Sequence, residues 1–280
     1  MGNQGLIPCD RVLALHTSNP NQPTTPQPAD QSQDELRSQL ARLGVDAAGA
    51  TNEDAAACLA IASDPDFWRT HHMEHPNKRR VKTWMWIHAR YRVQVASLAE
   101  GADAIQSSVT AGTAGKAAAT ALRSRFSKFC KKIESHSKFE DEQLFKFFLE
   151  RVEGSGEDMR SLQSEHADLA SVDNVEASLT AVEGALQRQP PDQAAAATAA
   201  GTLVSAMQAY AEEMKAHLER EERALVGRWL SLTPELYKVR GKRCLTAPAA
   251  VLSVCSTTVL NNCARARYTC NIVLRSTAIG

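Results

Sequence analysis

The sequence has few aromatic residues, no net charge and no long hydrophobic run. Aromatic side chains make up 5% of the 280 residues, and 32 basic residues balance 32 acidic ones at pH 7. A balanced charge gives no sign of a nucleic acid or a membrane surface as partner. No apolar run approaches the roughly 18 residues that a membrane span requires. We therefore expect no nucleic-acid partner and no membrane span.

The seven cysteines form neither a disulfide framework nor a zinc-ligand pattern. Cys9, Cys58 and Cys130 are far apart, and the other four fall after residue 243 without a CxxC pair. This spacing favours reduced thiols and a cytoplasmic location. The start of the chain lacks an apolar stretch long enough for a secretory signal. An organelle transit peptide is the alternative, because the first thirty residues are poor in acidic residues, although they are also poor in Arg.

The middle of the chain is rich in Ala, Leu, Glu, Gln, Lys and Arg, the residues that lose least on entering a helix. Residues 16–33 are instead rich in Pro, Gln, Thr and Asn, which is typical of a disordered linker. Capping and breaking residues predict short helices over 34–43 and 52–63. We therefore predict four parts: a disordered segment (1–33), a short helical appendage (34–78), a four-helix bundle (79–234) and an irregular tail (235–280).

Four long segments with helical periodicity follow one another from about residue 79. Breaks containing Gly or Pro separate them near residues 112–115, 154–156 and 190–191. Short connections of this kind predict an all-α, up-down-up-down four-helix bundle. Each segment carries an apolar stripe at spacings of three and four residues. The stripes are interrupted by His or Glu at six positions: His88, His136, Glu140, His166, His217 and Glu221.

These six interruptions predict a metal centre inside the bundle. A buried carboxylate must be paired, hydrogen-bonded or bound to a metal, and no Lys or Arg shares these stripes. His136/Glu140 and His217/Glu221 are both HxxxE pairs, so each pair lies on one helix face a single turn apart. Mixed imidazole and carboxylate ligands suit iron, with manganese as the alternative, whereas one zinc ion would not use six residues. If two metals share both carboxylates and a bridging oxo or hydroxo group, about two coordination positions stay open.

At these residues the chain resembles the hemerythrin-like HHE cation-binding family. The resemblance covers about residues 79–234, and it rests on the order H…HxxxE…H…HxxxE over four helices. Four local segments carry it: Ile87–Arg90, His136–Phe145, Glu165–Leu169 and His217–Leu225. The resemblance implies a hemerythrin-like bundle that holds two non-haem, carboxylate-bridged irons per chain and binds or reacts with O2, peroxide or nitric oxide.

The chain departs from oxygen-carrying hemerythrins on its third helix. Those proteins have two His one turn apart there, whereas Leu162 and Ala170 flank His166 in this chain. The pattern is closer to four-His, two-Glu members, which the resemblance connects with iron or oxygen sensing and with peroxide or nitric oxide chemistry. We therefore expect a sensor or an enzyme of oxidative defence rather than an oxygen carrier. The alternatives are a metal-stiffened interaction module without turnover and a metal-free bundle.

Several other polar residues lie near the predicted ligands. Three of them are carboxylates, and one could rotate toward the metals as a seventh ligand: Glu134, Glu142 or Glu165. Tyr91 and Tyr210 suit core packing, with hydrogen bonding to a ligand as the alternative role.

A rival histidine cluster precedes the bundle. His71, His72 and His75 lie just before Pro76, with Glu74 as their only nearby carboxylate. The segment is polar on most sides and precedes a basic run, so a segment that binds nothing is the preferred interpretation.

Overall fold

The bundle helices form where the apolar stripes predict them. The computed structural model describes residues 6–17, 31–113, 115–167 and 171–237. Its bundle helices are α5 (Lys82–Thr110), α6 (Lys116–Phe139), α7 (Lys146–Arg151), α8 (Gly156–Ala167), α9 (Ser171–Gln187) and α10 (Gln193–Leu230). A π-helical segment, Glu140–Phe145, joins α6 to α7. The predicted all-α bundle is confirmed, with α10 packed along both α5 and α9.

The third predicted helix differs from the sequence-based expectation. The apolar stripe between the breaks near 154–156 and 190–191 predicts one helix, but the structure has two, α8 and α9. Residues 168–170, between them, lie outside the described residues. Periodicity alone could not reveal this division, because both helices keep apolar residues such as Leu162 and Leu179 in the core.

The part before the bundle packs against it. Its elements are β1 (Ile7–Pro8), α1 (Cys9–Thr17), α2 (Gln33–Arg42), β2 (Val45–Asp46), α3 (Asn52–Ser63), α4 (Pro65–His71) and a 3-10 turn at Lys78–Arg80. Strands β1 and β2 pair in parallel, over two residues each. Side chains of Ser32, Thr51 and Asp64 cap α2, α3 and α4, which explains why these helices begin where they do. The two short predicted helices are therefore present as α2 and α3.

Residues 6–17 correct the expectation that the first 33 residues are disordered. They form β1 and α1, and Val12 and Cys9 are buried. Cys58 of α3 donates its thiol hydrogen to the Cys9 carbonyl at 3.8 Å. Burial against α3 is the reason for this order, and it depends on contacts more than 40 residues apart, which composition does not report. Residues 18–30 and most of the predicted tail lie outside the described residues.

The described interior consists of two apolar cores. The proximal core combines the appendage with one end of the bundle, and it includes Trp68, Trp84, Phe145, Phe148, Leu225 and Trp229. The distal core fills the other end, and it includes Val95, Leu122, Phe126, Leu179, Leu203 and Met207. Among the described residues, no helix is long and apolar enough to cross a membrane.

Candidate metal centre

The structure brings all six predicted ligands to one place between the two cores. His88 comes from α5, His136 from α6 and Glu140 from the first position of the π-helical segment. His166 comes from α8, and α10 supplies His217 and Glu221. Their donor atoms form two groups that could each hold a metal ion, His88/His136/Glu140/Glu221 and His166/His217/Glu221, with every donor within 4.8 Å of the others in its group.

Each carboxylate faces both histidine pairs. Glu140 Oε1 lies 3.2 Å from His136 Nε2, and its Oε2 lies 3.8 Å from His166 Nε2. In this way one oxygen faces the His88/His136 pair and the other faces the opposite pair. A carboxylate placed in this way could bridge two metal ions.

Glu221 repeats the arrangement from α10. Its Oε1 lies 3.1 Å from His166 Nε2 and 3.2 Å from His217 Nε2. Its Oε2 lies 3.6 Å from His88 Nε2. The two carboxylates therefore lie between two imidazole pairs, as two metal ions sharing both carboxylates would require.

The buried polar atoms of this cluster fit a cation. Glu140 and Glu221 have no exposed surface, and Oε2 of each has no hydrogen-bond partner. An unpaired buried carboxylate oxygen costs several kcal/mol, roughly, because it has lost its water and gained nothing in return. The Nε2 atoms of all four histidines point at the same interior space. A bound cation would satisfy both oxygens and take the imidazole lone pairs, so the residues present fit a metal.

A buried ion pair between Glu222 and Arg92 contacts the outer nitrogen of His88. Its Nδ1 lies 3.1 Å from Glu222 Oε1, and the Glu222 side chain is only 2% exposed. Arg92 donates two hydrogen bonds to the two Glu222 oxygens, at 2.7 and 2.9 Å. The carboxylate fixes the imidazole tautomer with hydrogen on Nδ1, which leaves Nε2 free to bind a metal.

His217 and His166 have similar partners that are more exposed. Glu165 Oε2 lies 2.9 Å from His217 Nδ1 and also accepts hydrogen bonds from Arg220. Asp141 Oδ1 lies 2.9 Å from His166 Nδ1. The side chains of Glu165 and Asp141 are 26% and 33% exposed.

The carboxylates considered as a seventh ligand, Glu134, Glu142 and Glu165, differ in their contacts and exposure. Glu165 is engaged with the outer nitrogen of His217 and with an arginine. Glu134 is exposed, and the Glu142 side chain is 61% exposed and pairs with Lys138. Glu165 contacts the outer rather than the inner nitrogen of His217, and a seventh ligand among these carboxylates stays a prediction.

Aromatic rings cover the cluster on the α5 side. Trp84 donates its indole hydrogen to Glu140 Oε1 at 2.7 Å, and its ring centroid lies 3.9 Å from that of His88. Tyr91 packs edge-on against the His136 ring at 5.1 Å. Tyr91 thus packs in the core, as we expect from the sequence, and Trp84 donates a hydrogen bond that orients one carboxylate.

The π-helical segment explains how Asp141 reaches the centre. Asp141 is five residues after His136, and an α-helix would turn it away from that face. The wider π turn changes the direction of the residues after Glu140, and Asp141 contacts His166 of α8. Single-turn π segments occur frequently at functional sites.

Without a metal, the carboxylates and imidazoles of the cluster shift one another's pKa values. Burial alone would lower the pKa of His88, but hydrogen bonds to Glu140 and Glu222 raise it to about 9. The pKa of His217 is likewise raised to about 9, since the hydrogen bonds to Glu221 and Glu165 outweigh burial. Burial would raise the pKa of Glu221, yet His166 and His217 lower it well below its usual range. Metal binding at this cluster must therefore release protons.

The rival histidines do not converge. His72 Nδ1 lies 3.1 Å from the Arg69 carbonyl, and the His71 ring packs against Phe67. His75 is buried, with Nε2 2.9 Å from the Leu43 carbonyl and Nδ1 accepting the Asn77 amide hydrogen. His75 is thus a hydrogen-bonded core residue, although the segment is polar on most sides in the sequence. Within the described residues, no group that could hold a metal includes these histidines.

Sequence reasoning also missed the outer shell of the predicted site. Glu222, Arg92, Asp141 and Arg220 were not singled out, although Arg92 lies one helical turn after His88 and Glu222 directly follows Glu221. The only sequence signal for them is this adjacency to the predicted ligands. Their pairing across helices is visible only in three dimensions.

The fold and the cluster together define a cation-binding helical-bundle protein. The family model for the hemerythrin HHE cation binding domain matches residues 80–229. The chain therefore belongs to the hemerythrin HHE cation-binding family, as its sequence motifs indicated. Neither the curated proteins nor the solved structures provided a match to the chain.

Proposed function

We propose that the protein holds two non-haem irons per chain, bridged by Glu140 and Glu221. His88 and His136 would bind one iron, and His166 and His217 the other. The observation that carries this proposal is the orientation of the two buried carboxylates, each with one oxygen toward each histidine pair. Manganese accepts the same donors and is the alternative metal.

The donor set is that of a reactive rather than a closed structural site. Four imidazoles and two bridging carboxylates supply about eight of the roughly twelve positions around two six-coordinate metals. When bound, such a pair supplies redox chemistry and positions for a small ligand such as O2, peroxide or nitric oxide. We infer a role in sensing iron or oxygen, or in the chemistry of these ligands, rather than in oxygen storage.

The residues around the centre would fix the positions of the metal ligands and limit the access of water. The Trp84 indole holds Glu140 by donating to Oε1, and Glu222 and Glu165 hold the outer nitrogens of two histidines. Apolar rings on the α5 side limit the approach of water. These contacts would hold the ligands in place while the metals change charge.

The proposal is tested by removing both bridging carboxylates. The variant carrying Glu140→Ala and Glu221→Ala should lose iron, because half of the proposed bonds to each metal come from these two residues. A matched control replaces Glu134 of α6 and Glu142 of the π-helical segment, two exposed carboxylates, by Ala. Iron analysis should find two irons per chain in the wild type and in the control. Full iron occupancy in the double variant would contradict the assignment.

A structural role for the metal is the second candidate function. The six residues come from all four bundle segments, so a bound metal would link every helix to the others. This observation favours a bundle that is stiffened by metal and offers its surface to a partner. Chelation that abolishes helical order in a protein without gas or peroxide reactivity would favour this candidate.

A further inference from the structure

A cavity of about 690 Å³ lies between the appendage and the bundle. Residues of α4, α8 and α10 line it, together with residues that follow α2 and α10. Most of its wall is apolar, and the apolar side chains include Leu43, Pro65, Leu162, Ala224 and Leu236. Cavities of about 300–1,000 Å³ with walls of this kind hold small organic molecules. None of the six predicted metal ligands lines this cavity, so it is a separate site.

Trp68 of α4, in the wall of this cavity, has a buried hydrogen-bond donor without an acceptor. Trp68 is 1% exposed, and its Nε1 has no hydrogen-bond partner among the described residues. The Cδ1 atom, which is bonded to Nε1, lies 3.7 Å from the position that a Cβ on Gly227 would take. Because Gly227 also lines the cavity, this edge of the indole lies at the cavity. Leaving a buried donor unpaired costs free energy, which a ligand with an acceptor oxygen would recover.

Gly227 leaves room for such a ligand. It lies in the last turn of α10, although glycine is a poor helix former. Among the described residues outside α10, a Cβ at this position would meet only Trp68 within 4 Å. The lack of a side chain at Gly227 therefore keeps open the part of the cavity next to the indole nitrogen.

The charged residues around the cavity balance one another. Three arginines of α10 line it, and each pairs with a carboxylate at 2.6–2.9 Å: Arg220 with Glu165, Arg223 with Asp66 and Arg228 with Asp158. Because their charges are already paired, these arginines add little attraction for an anion. The apolar wall and the unpaired indole donor instead favour an uncharged ligand with one acceptor.

We propose that the cavity between α4, α8 and α10 binds a small, uncharged carbonyl compound with an apolar body. The body lies against the apolar wall, and the carbonyl oxygen accepts the hydrogen of Trp68 Nε1. This inference does not depend on a bound metal, since Trp68, Gly227 and the apolar wall carry it.

Benzophenone is a suitable probe, because it has two apolar rings, no charge and one carbonyl oxygen. Ultraviolet light also makes it form covalent bonds with neighbouring C–H groups, so mass spectrometry of the peptides locates it. In the full chain it should label peptides from α4 and from the last turns of α10. Equilibrium dialysis measures its affinity.

Filling the cavity should prevent this binding. Gly227→Leu places a branched side chain in the cavity, and it should weaken benzophenone binding by about tenfold or more. Gly184→Leu is the matched control, because Gly184 is an exposed glycine of α9 that does not line the cavity. Ser161→Trp fills the cavity from an exposed position on α8, and it replaces Gly227→Leu if that variant does not fold.

A second comparison isolates the indole donor. Diphenylmethane has the same two rings as benzophenone but no carbonyl oxygen. Trp68→Phe keeps an aromatic ring and removes the N–H, so it should lower the ratio of benzophenone affinity to diphenylmethane affinity by about threefold to tenfold. Trp86→Phe, which changes a tryptophan that is 52% exposed on α5, should leave this ratio unchanged.

Weaker benzophenone binding in the cavity-filling variant but not in Gly184→Leu, together with the lower affinity ratio in Trp68→Phe, supports the inference. A full chain that does not bind benzophenone overturns it, as does equal binding by the cavity-filling variant and its control. An affinity ratio that Trp68→Phe leaves unchanged, or labelling confined to peptides outside α4, α8 and α10, also overturns it.

Discussion

The proximal and distal cores of the bundle differ in what they enclose. The distal core is apolar apart from Ser178, whose hydroxyl donates to the Asn174 carbonyl within its own helix, and the Tyr91 and Tyr210 hydroxyls. The proximal core contains large aromatic residues from both the appendage and the bundle, such as Trp68 and Trp229. The cluster of buried His and Glu lies where these two cores meet. Both ends of the bundle are thus stabilised by apolar burial, and the charged centre lies between them.

This difference explains the position of the appendage. Helix α4 packs on α10, and Arg80 donates a hydrogen bond to the Leu230 carbonyl at the end of α10, at 3.2 Å. Phe67 and Trp68 of α4 are almost completely buried in the proximal core. The appendage therefore closes the proximal end of the bundle, and it is part of the same folded core.

The largest effect within this comparison is expected in the distal core. Leu203 is fully buried there, so Leu203→Ala should lower the free energy of unfolding by about 2–5 kcal/mol. Because Leu203 lies outside the centre, the loss should be the same in the metal-loaded and the metal-free protein. Urea unfolding followed by circular dichroism measures both values. A loss that differs between the two forms would show that the cores are not independent.

The proximal core should be sensitive to acid through His75. Burial lowers the pKa of His75 to about 4 from an ordinary value of 6.5. The unfolded chain therefore binds the proton first, and stability is lost as the pH falls from about 6.5 toward 4. The loss is on the order of 3 kcal/mol, since each pKa unit corresponds to about 1.4 kcal/mol.

The His75→Gln variant isolates this group from other titrating residues. The difference in unfolding free energy between wild type and His75→Gln should shrink as the pH falls from 6.5 to 4. Urea unfolding at several pH values provides the difference. A difference that stays constant over this range would show that His75 is not the acid-sensitive group of the proximal core.

The smallest expected effect compares the two outer carboxylates. Glu222→Gln should weaken iron binding by about 10–100-fold, because Glu222 is buried and holds the His88 imidazole. Glu165→Gln should weaken it less, because Glu165 is partly exposed and water can replace its contact. Competition with a chelator measures both affinities, and melting of the metal-free proteins controls for folding. Equal losses in the two variants would show that the burial of the outer carboxylate does not affect metal affinity.

Much of the bundle could be predicted because helical periodicity reports burial directly. Stripes spaced by three and four residues placed four helical segments, and the polar interruptions of those stripes drew attention to His88 and Glu221. Binding of metal by these residues stays a prediction. Periodicity could not predict the partners of the outer nitrogens, since a contact such as Arg92 with Glu222 spans 130 residues.

Two other features could not be predicted from the sequence, for different physical reasons. The π-helical segment changes the helical register by a fraction of a turn, and no residue type from Glu140 to Phe145 signals it. The order of α1 depends on burial against α3, so its local composition is a poor guide. Local patterns thus predicted the helices, whereas contacts between distant segments decided the details of the site.

The most direct test is a crystal structure of the iron-loaded protein with anomalous diffraction data at the iron absorption edge. The account predicts two anomalous peaks per chain, one beside His88 and His136 and the other beside His166 and His217. Both should lie within bonding distance of Glu140 and Glu221. A single peak, or peaks away from these carboxylates, would contradict the proposed two-metal centre.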